Sequence, residues 1–180
     1  MRVVAGKYKR TPLKTIESLS TRPTKDMVKE ALFSSIYIDE ETCFLDLFSG
    51  SGAIGIEALS RGAKEVYFND LNKEAVNVIK ENLLKLKENR VVYNLNYDVC
   101  LNKLKGIQFD YVFLDPPYAF KEYENIFKLI DEYSLLKDNG KIIVEVKKDV
   151  ELDDNIYSLN KYKEKKYGIS KLLYYRRKDV

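Results

Sequence analysis

A stretch of seventeen residues, CFLDLFSGSGAIGIEAL (43–59), limits what this chain can fold into more than any other stretch. Its first part, Cys43–Phe48, is an apolar run with one acid, which is typical of a strand buried on both faces of a parallel sheet. SGSG then predicts a turn, and the apolar spacing after it predicts a helix. Gly50, Gly52 and Gly55 fit the pattern G-x-G-x-x-G, in which missing side chains let the backbone lie against a ligand. The stretch therefore predicts a strand, a ligand-binding turn and a helix in direct succession.

The rest of the chain alternates predicted strands with predicted helices. Strands are predicted over 43–48, 64–70, 91–98, 109–115 and 141–146, with two more in the tail separated at Tyr167-Gly168, and further helices over 21–36, 72–86 and 120–136. This alternation predicts an α/β fold: a Rossmann-like, doubly wound, mostly parallel sheet of about seven strands with an antiparallel edge strand. Residues 1–16 read as an irregular basic hairpin on the surface rather than in the core. We therefore predict a basic N-terminal arm over 1–23 and one main domain over 24–180. The hairpin and the helix that follows it form a small N-terminal basic extension to the fold.

Composition excludes several classes of protein. The chain has no histidine, which removes Ser-His and Cys-His triads and the commonest transition-metal ligand. Cys43 and Cys100 are isolated, so neither a disulfide framework nor a CxxC zinc site is available, and we expect no metal. No apolar run is long enough to span a membrane, and the chain starts without a signal-peptide pattern. We expect a cytoplasmic protein, with a monomer as the default state.

Charge is distributed unevenly along the chain. Residues 1–30 carry eight basic against three acidic side chains and residues 161–180 carry eight against two, whereas the remainder carries fifteen against twenty-three. Basic ends around an acidic centre favour a polyanionic partner such as a phosphate backbone. The alternative is that these basic side chains are simply solvated. The tail cluster of Lys161, Lys163, Lys165 and Lys166 could equally lie on an edge strand, where lysines prevent aggregation with other strands.

Polar residues follow the ends of four successive predicted strands. The glycine turn follows the first, Asp70 the second, Asp98 the third and Asp115 the fourth. Because a doubly wound sheet binds ligands outside the carboxyl ends of its strands, these residues are expected to meet at one site. A glycine motif followed by Asp70 also fits an NAD-binding protein, in which that acid would hold a ribose.

The segment DPPY, Asp115 to Tyr118, decides against a dehydrogenase, which has no evident use for it. Each proline restricts the backbone, so the segment is stiff and projects polar groups outward. The Asp115 carboxylate and the Pro116 carbonyl can accept hydrogen bonds from an NH₂ group, and Pro117 extends the stiff turn so that Tyr118 can stack on a planar base. The segment is therefore predicted to hold an exocyclic amine.

Nearly the whole chain resembles the S-adenosylmethionine-dependent methyltransferases of class I, and among them the RsmD-like enzymes that methylate guanine N2 in 16S ribosomal RNA. The resemblance rests on RVVAGKYKRTPL, TRPTKDMVKEALF, DLFSGSGAIGIEALSRGA, the acid of FND, FDYVFLDPPY and the late YG. DPPY alone is shared with adenine-N6 methyltransferases of DNA or RNA, and the RPT block with the form of the glycine motif narrows the match. Met27 stands where the family more often has arginine, so no phosphate contact is expected there.

The resemblance implies a role for each site residue. For S-adenosylmethionine it implies a turn over the methionine end, a ribose contact at Asp70 and an adenine site at Asp98 and the Val99 amide; its complete set is Asp46, Phe48, Gly50, Ser51, Gly52, Asp70, Leu71, Asp98 and Val99. Catalysis falls to Asp115, Pro116, Pro117 and Tyr118. Arg22, Lys7, Lys9 and Arg10 are expected to contact RNA, either free or in an assembled small subunit. An adenine-N6 methyltransferase and an inactive, cofactor-binding RNA assembly factor remain alternatives.

Overall fold

The computed structural model describes residues 1–16 and 23–178, and all strands of this part belong to one sheet of eight. The strands are β1 (Cys43–Asp46), β2 (Glu65–Asn69), β3 (Val92–Tyr93), β4 (Phe109–Leu114), β5 (Leu136–Lys147), β6 (Asn155–Ile156), β7 (Leu159–Tyr167) and β8 (Ser170–Arg177). The helices are α1 (Pro23–Ser35), α2 (Ala53–Ser60), α3 (Lys73–Lys85), α4 (Tyr97–Lys103) and α5 (Tyr123–Glu132).

The sheet has the order β3-β2-β1-β4-β5-β8-β7-β6, and its first five strands are parallel. The chain moves outward from β1 to β3 and then returns to β4, so the direction of winding reverses between β1 and β4. This confirms the doubly wound, mostly parallel sheet. We call the edge where β1 to β5 end the carboxyl edge, and the reversal places a ligand crevice there between β1 and β4.

The antiparallel part is wider than the single edge strand expected. β8 pairs antiparallel with β5, β7 with β8, and β6 with β7. Gly168, with a positive φ of 59°, lets the tail reverse between β7 and β8. Since Ser170 pairs with Lys147, this turn lies at the carboxyl edge.

Three predicted boundaries are wrong. The third strand ends at Tyr93 instead of residue 98, because the Asn69 side chain exchanges hydrogen bonds with the backbone of Leu95 and α4 begins at Tyr97. The fifth strand begins at Leu136 rather than at residue 141, and residues 138–140 belong to a bulge within it, where the pairing with β4 shifts register. The helix predicted over 120–136 is only Tyr123–Glu132.

Helices cover both faces of the sheet. On one face α1, α2 and α3 pack over a core that includes Phe44, Phe68 and Ile143, and on the other α4 and α5 pack over a core that includes Leu114 and Val144. In α3 the apolar residues Ala75, Val76, Ile79 and Leu83 are buried. Asn72 caps the helix, since its side chain accepts a hydrogen bond from the Glu74 amide at 2.9 Å.

The N-terminal segment is a hairpin, but the expectation that it lies on the surface is wrong for its apolar residues. An isolated antiparallel bridge joins Arg2 to Pro12, and Val3 and Leu13 are buried in the core of the α1–α3 face. Glu57 of α2, fully buried, explains the docking. Its carboxylate accepts hydrogen bonds from the amides of Val4 (2.9 Å) and Ala5 (3.1 Å).

Two cationic side chains complete the surroundings of Glu57: Arg61 at 2.9 Å and the buried Lys29 at 3.6 Å. A buried carboxylate is tolerated when it is paired and hydrogen-bonded in this way.

The boundary between an arm over 1–23 and a domain over 24–180 stays a prediction.

Candidate active site

The glycine turn lies at the carboxyl edge between β1 and α2. Gly50 and Gly52 have φ angles of 57° and 84°, in the left-handed region that side chains with a Cβ seldom adopt. The Gly52 amide donates to the Ser49 carbonyl at 2.8 Å, and the Asn82 side chain donates to the Ser51 carbonyl at 3.0 Å. The turn is therefore tight, and the hydrogen bond from Asn82 fixes it to α3.

Asp46, the last residue of β1, is buried beneath this turn with 1% of its surface exposed. Its Oδ2 accepts a hydrogen bond from the Gly55 amide at 3.0 Å, and its Oδ1 is buried with no hydrogen-bond partner in the described part of the chain. Burial, followed by the negative charges of Asp115 and Asp70, raises the pKa of Asp46 from 3.8 to about 7. A buried acceptor beside two further acids is suited to a cationic ligand.

Asp70 is fixed through both carboxylate oxygens. Oδ2 accepts from the Gly50 amide at 2.8 Å and Oδ1 from the Asn72 amide at 2.9 Å. The Asn94 side chain donates to the carbonyls of Asp70 and Leu71, each at 3.0 Å, while the Leu71 side chain is exposed. Since a carboxylate oxygen can accept more than one hydrogen bond, both oxygens retain capacity for ligand hydroxyl groups.

Asn69, which sequence reasoning missed, joins the loops that follow three strands. Its side-chain amide donates to the carbonyls of Leu47 (3.2 Å) and Leu95 (3.0 Å), and its Oδ1 accepts from the Leu95 amide at 3.2 Å. Its own amide donates to the Ser49 hydroxyl at 3.1 Å. A buried asparagine at the end of β2 that bonds to the loops after β1 and β3 fixes the relative positions of these three strand ends, and its place beside Asp70 is the signal that could have indicated it.

The DPPY segment follows β4 and forms one wall of a cleft at the carboxyl edge. Pro116 is buried, Tyr118 is 55% exposed, and the Phe120 amide closes a turn on the Pro117 carbonyl at 2.9 Å. The cleft is partly open to solvent, and its polar lining comes from Asp115, Tyr118, Tyr123, Glu145, Lys147 and Ser170.

Two cleft residues on β5, Glu145 and Lys147, carry no sequence motif. The Lys147 ammonium lies 4.1 Å from the centre of the Tyr118 ring, which is a cation–π contact. Both lie within β5 rather than after it, so the rule that binding residues follow strand ends does not point to them.

Aromatic rings connect the glycine turn to the DPPY segment. Phe120 contacts Phe48 of the turn, Tyr97 of α4 and Tyr123 of α5, with ring centroids 5.2–5.5 Å apart. Burial and the charge of Asp115 raise the pKa of Tyr123 to about 12. Its hydroxyl therefore stays protonated in neutral solution and can act as a donor beside Asp115.

A family model described as "Conserved hypothetical protein 95" matches residues 1–176. The chain belongs to this family. It is 38% identical over 184 residues to "Putative rRNA methyltransferase YlbH" of Bacillus subtilis, covering 99% of this chain and 100% of that protein. It is 41% identical over 155 residues to "Ribosomal RNA small subunit methyltransferase D" of Haemophilus influenzae, covering 83% and 80%. These relatives confirm the resemblance to the RsmD-like methyltransferases.

Solved structures agree with this assignment. "Putative methyltransferase yhhF" of Escherichia coli superposes with a TM-score of 0.85 at 29% identity, covering 100% of this chain and 99% of that one. "Putative methylase HI0767" of Haemophilus influenzae gives 0.77 at 36% identity, covering 98% and 97%. The class I methyltransferase fold is therefore confirmed.

In this RsmD-like methyltransferase, Asp98 and Val99 lie apart from the Asp115 cleft. Both are exposed in the first turn of α4, where the Val99 amide donates to the Asp98 carboxylate at 2.8 Å. They line a second cleft along α4 and α5, together with Asn102, Lys103, Asn125, Leu129 and Tyr133. Their role as adenine ligands stays a prediction.

The N-terminal basic residues lie far from the DPPY segment. Lys7, Lys9 and Arg10 are exposed at the hairpin tip, where the Lys7 amide donates to the Ser60 carbonyl at 2.7 Å. Ser60 is the last residue of α2, whereas the glycine turn lies just before its first residue. The length of this helix separates the hairpin tip from the glycine turn by about 12 Å. Arg22 lies outside the described residues, so its expected RNA contact stays a prediction.

The tail lysines line an open strand. Among residues 1–16 and 23–178, β6 pairs only with Leu159 and Asn160, so β7 is the outer strand of this part from Lys161 onward. Lys161 is paired with Asp154 at 3.0 Å, and Lys163 lies over the Tyr174 ring at 4.9 Å. These contacts support the interpretation as a guarded strand edge.

Burial raises the pKa of Cys43 to about 11 and that of Cys100 to about 12, and both are free thiols. Within 1–16 and 23–178, no three histidine, cysteine or acidic side chains are grouped as a metal site requires. In the same ranges no helix is long and apolar enough to cross a membrane.

Proposed function

We propose that this chain transfers a methyl group from S-adenosylmethionine to the exocyclic N2 of a guanine in small-subunit (16S) ribosomal RNA. One observation carries the proposal: the DPPY segment after β4 and the glycine turn over a buried acid after β1 lie together where the winding of the sheet reverses. Relatives at 34–41% identity that are named as ribosomal RNA methyltransferases support it.

The residues after β1 and β2 fit S-adenosylmethionine. The unpartnered Oδ1 of Asp46 and the nearby acids suit its cationic groups, and the amino end of α2 suits its carboxylate. Asp70 would bind the ribose hydroxyls and Asp98 and Val99 the adenine, and Phe48 and Leu71 would complete the proposed cofactor site. When bound, the cofactor supplies a methyl group on a sulfonium that nitrogen can attack.

The DPPY segment would bind and orient the amine that receives the methyl group. The Asp115 carboxylate and the Pro116 carbonyl accept hydrogen bonds from the amine, which aligns the nitrogen lone pair for in-line attack. The methylated nitrogen is acidic once formed, so its proton can pass along the hydrogen bond to Asp115 and then to water, and no histidine is required. The exposed ring of Tyr118 suits stacking on a base that has left its helix.

The partner and setting follow from the same proposal. We expect a monomer in the cytoplasm that acts on ribosomal RNA, either free or in the assembled small subunit. Because the hairpin tip lies away from the carboxyl edge, Lys7, Lys9 and Arg10 would contact phosphates remote from the target base.

The test is methyl transfer from labelled S-adenosylmethionine to small-subunit RNA and to its assembled particle, followed by mass spectrometry of the nucleosides. N2-methylguanosine is expected, and Asp115→Ala should lower the rate by about 100-fold or more because the amine loses its alignment. Asp138→Ala, an exposed acid of the β5 bulge, is the matched control. N6-methyladenosine would overturn the base assignment, and cofactor binding without transfer by the wild type would make the chain a binding module.

A further inference from the structure

Glu145 is the lateral neighbour of Asp115. β4 and β5 are parallel, and their last paired positions are Leu114 and Val144, so the next residues on the two strands are Asp115 and Glu145. Neighbouring strands lie about 4.8 Å apart. Both acids line the cleft beside Tyr118.

The two acids also share a face of the sheet. Leu114 and Val144 belong to the core under α4 and α5, and successive residues of a strand point to opposite faces. Asp115 and Glu145 are therefore directed to the other face, where Asp46 contacts α2. Glu145 lies on the side of Asp115 away from β1, and so away from the glycine turn.

This placement matches the Watson–Crick edge of guanine. That edge presents the N2 amine and, next to it, the N1–H donor, while a carboxylate only accepts. In adenine the atom beside the amine is an N1 acceptor, whose lone pair would face a carboxylate. A second carboxylate adjoining the amine-holding segment therefore favours guanine and disfavours adenine.

We propose that Glu145 is a specificity-determining residue that accepts a hydrogen bond from N1–H of the target guanine. This rests on the proposed function, since Asp115 and Pro116 must hold the N2 amine of the same base. Tyr118 would stack on the base, and the Lys147 ammonium, 4.1 Å from the centre of the Tyr118 ring, would contact the phosphate of the same nucleotide. A carboxylate has acceptor capacity for N1–H in addition to other contacts.

The test uses RNA in which the target guanosine is replaced by 2-aminopurine or by 2,6-diaminopurine. Both analogues keep the N2 amine and replace N1–H with a lone pair, and they differ from each other at position 6. The wild type should prefer guanine over each analogue in kcat/KM by roughly 10- to 100-fold, the discrimination that a well-made base contact provides. Glu145→Gln, whose NH₂ can donate to N1, should shift the preference toward both analogues by at least about tenfold.

The control and the contrary outcomes separate this inference from the proposed function. Asp149→Asn changes an exposed acid close by in sequence and should leave the ratio unchanged. Because each ratio is measured on one preparation, a loss of folded protein cancels. A wild type that methylates guanine while Glu145→Gln keeps the wild-type ratio would overturn the role of Glu145 alone. A wild type that modifies no guanine would overturn the proposed function and this inference together.

Discussion

Replacing Asp46 by asparagine should make the unliganded chain more stable in alkaline solution. Asp46 is buried, and its pKa in the folded chain is about 7 against an ordinary value of 3.8. The folded state therefore holds its proton at pH values where the unfolded chain has released it. Stability is lost as the pH rises from about 4 to about 7, and an asparagine, which does not titrate, keeps the hydrogen bond from Gly55 without this loss.

The magnitude follows from the two pKa values. Since one pKa unit corresponds to about 1.4 kcal/mol, the full cost of ionising Asp46 in the folded chain is about 4 kcal/mol. About 2.5 kcal/mol of this falls between pH 5 and pH 8. The stability of Asp46→Asn minus that of the wild type should therefore grow by about 2.5 kcal/mol over this interval.

Urea denaturation of both proteins at pH 5 and pH 8, without cofactor, measures this difference directly. Other titrating groups are common to the two proteins, so their contributions cancel. A difference that changes by less than about 0.5 kcal/mol between the two pH values would refute the assignment of a raised pKa to Asp46.

Cofactor binding provides a second measurement on the same residue. If only ionised Asp46 accepts the cationic cofactor, the affinity of the wild type for S-adenosylmethionine should rise about tenfold from pH 6 to pH 8. In Asp46→Asn that dependence on pH should disappear. Calorimetric titration at three pH values distinguishes the two proteins.

Three further changes have defined outcomes. In Gly55→Ala the new Cβ would lie 2.3 Å from the buried Phe68 ring, so we expect a loss of about 1–3 kcal/mol in thermal unfolding, whereas an unhindered helical glycine would gain stability. Asn69→Ala leaves the Leu95 backbone groups unpaired and should cost about 2–4 kcal/mol and weaken cofactor binding, with chemical denaturation and titration as the assays. Lys147→Gln should reduce the slope of log affinity for RNA against log salt concentration by about one, and an unchanged slope would remove Lys147 from the RNA contact.

The glycine turn and the DPPY segment can be located from the sequence, because the residues of each are consecutive in the chain. The glycine turn requires positive φ angles, which glycine adopts readily, and the DPPY segment requires a stiff backbone, which proline provides. Both features can therefore be recognised from the residue types. The alternation of strands and helices then places them at one edge of the sheet. The fold and the two strand ends on either side of the cleft can be argued from these features alone.

The residues that sequence reasoning missed depend on pairing between distant segments. Glu145 and Lys147 lie in an ordinary strand and reach the cleft only because β5 pairs with β4 in one particular register. Asn69 resembles any polar residue at a strand end until the loops around it are placed. Burial of the hairpin could not be predicted either, because the acid that docks it lies 53 residues further along the chain from Val4.

That separation has a consequence for the order in which the chain assembles during synthesis. The amino end emerges first, and at about 5–20 residues per second the hairpin waits roughly 3–10 s before Glu57 is available to it. Until then the amides of Val4 and Ala5 lack the acceptor that they have in the folded chain, and Val3 and Leu13 lack the core residues of α2 and β2. Docking of the hairpin is therefore a late step that closes the α1–α3 face. A shortened chain without its first five residues would leave the buried Glu57 carboxylate without two of its donors.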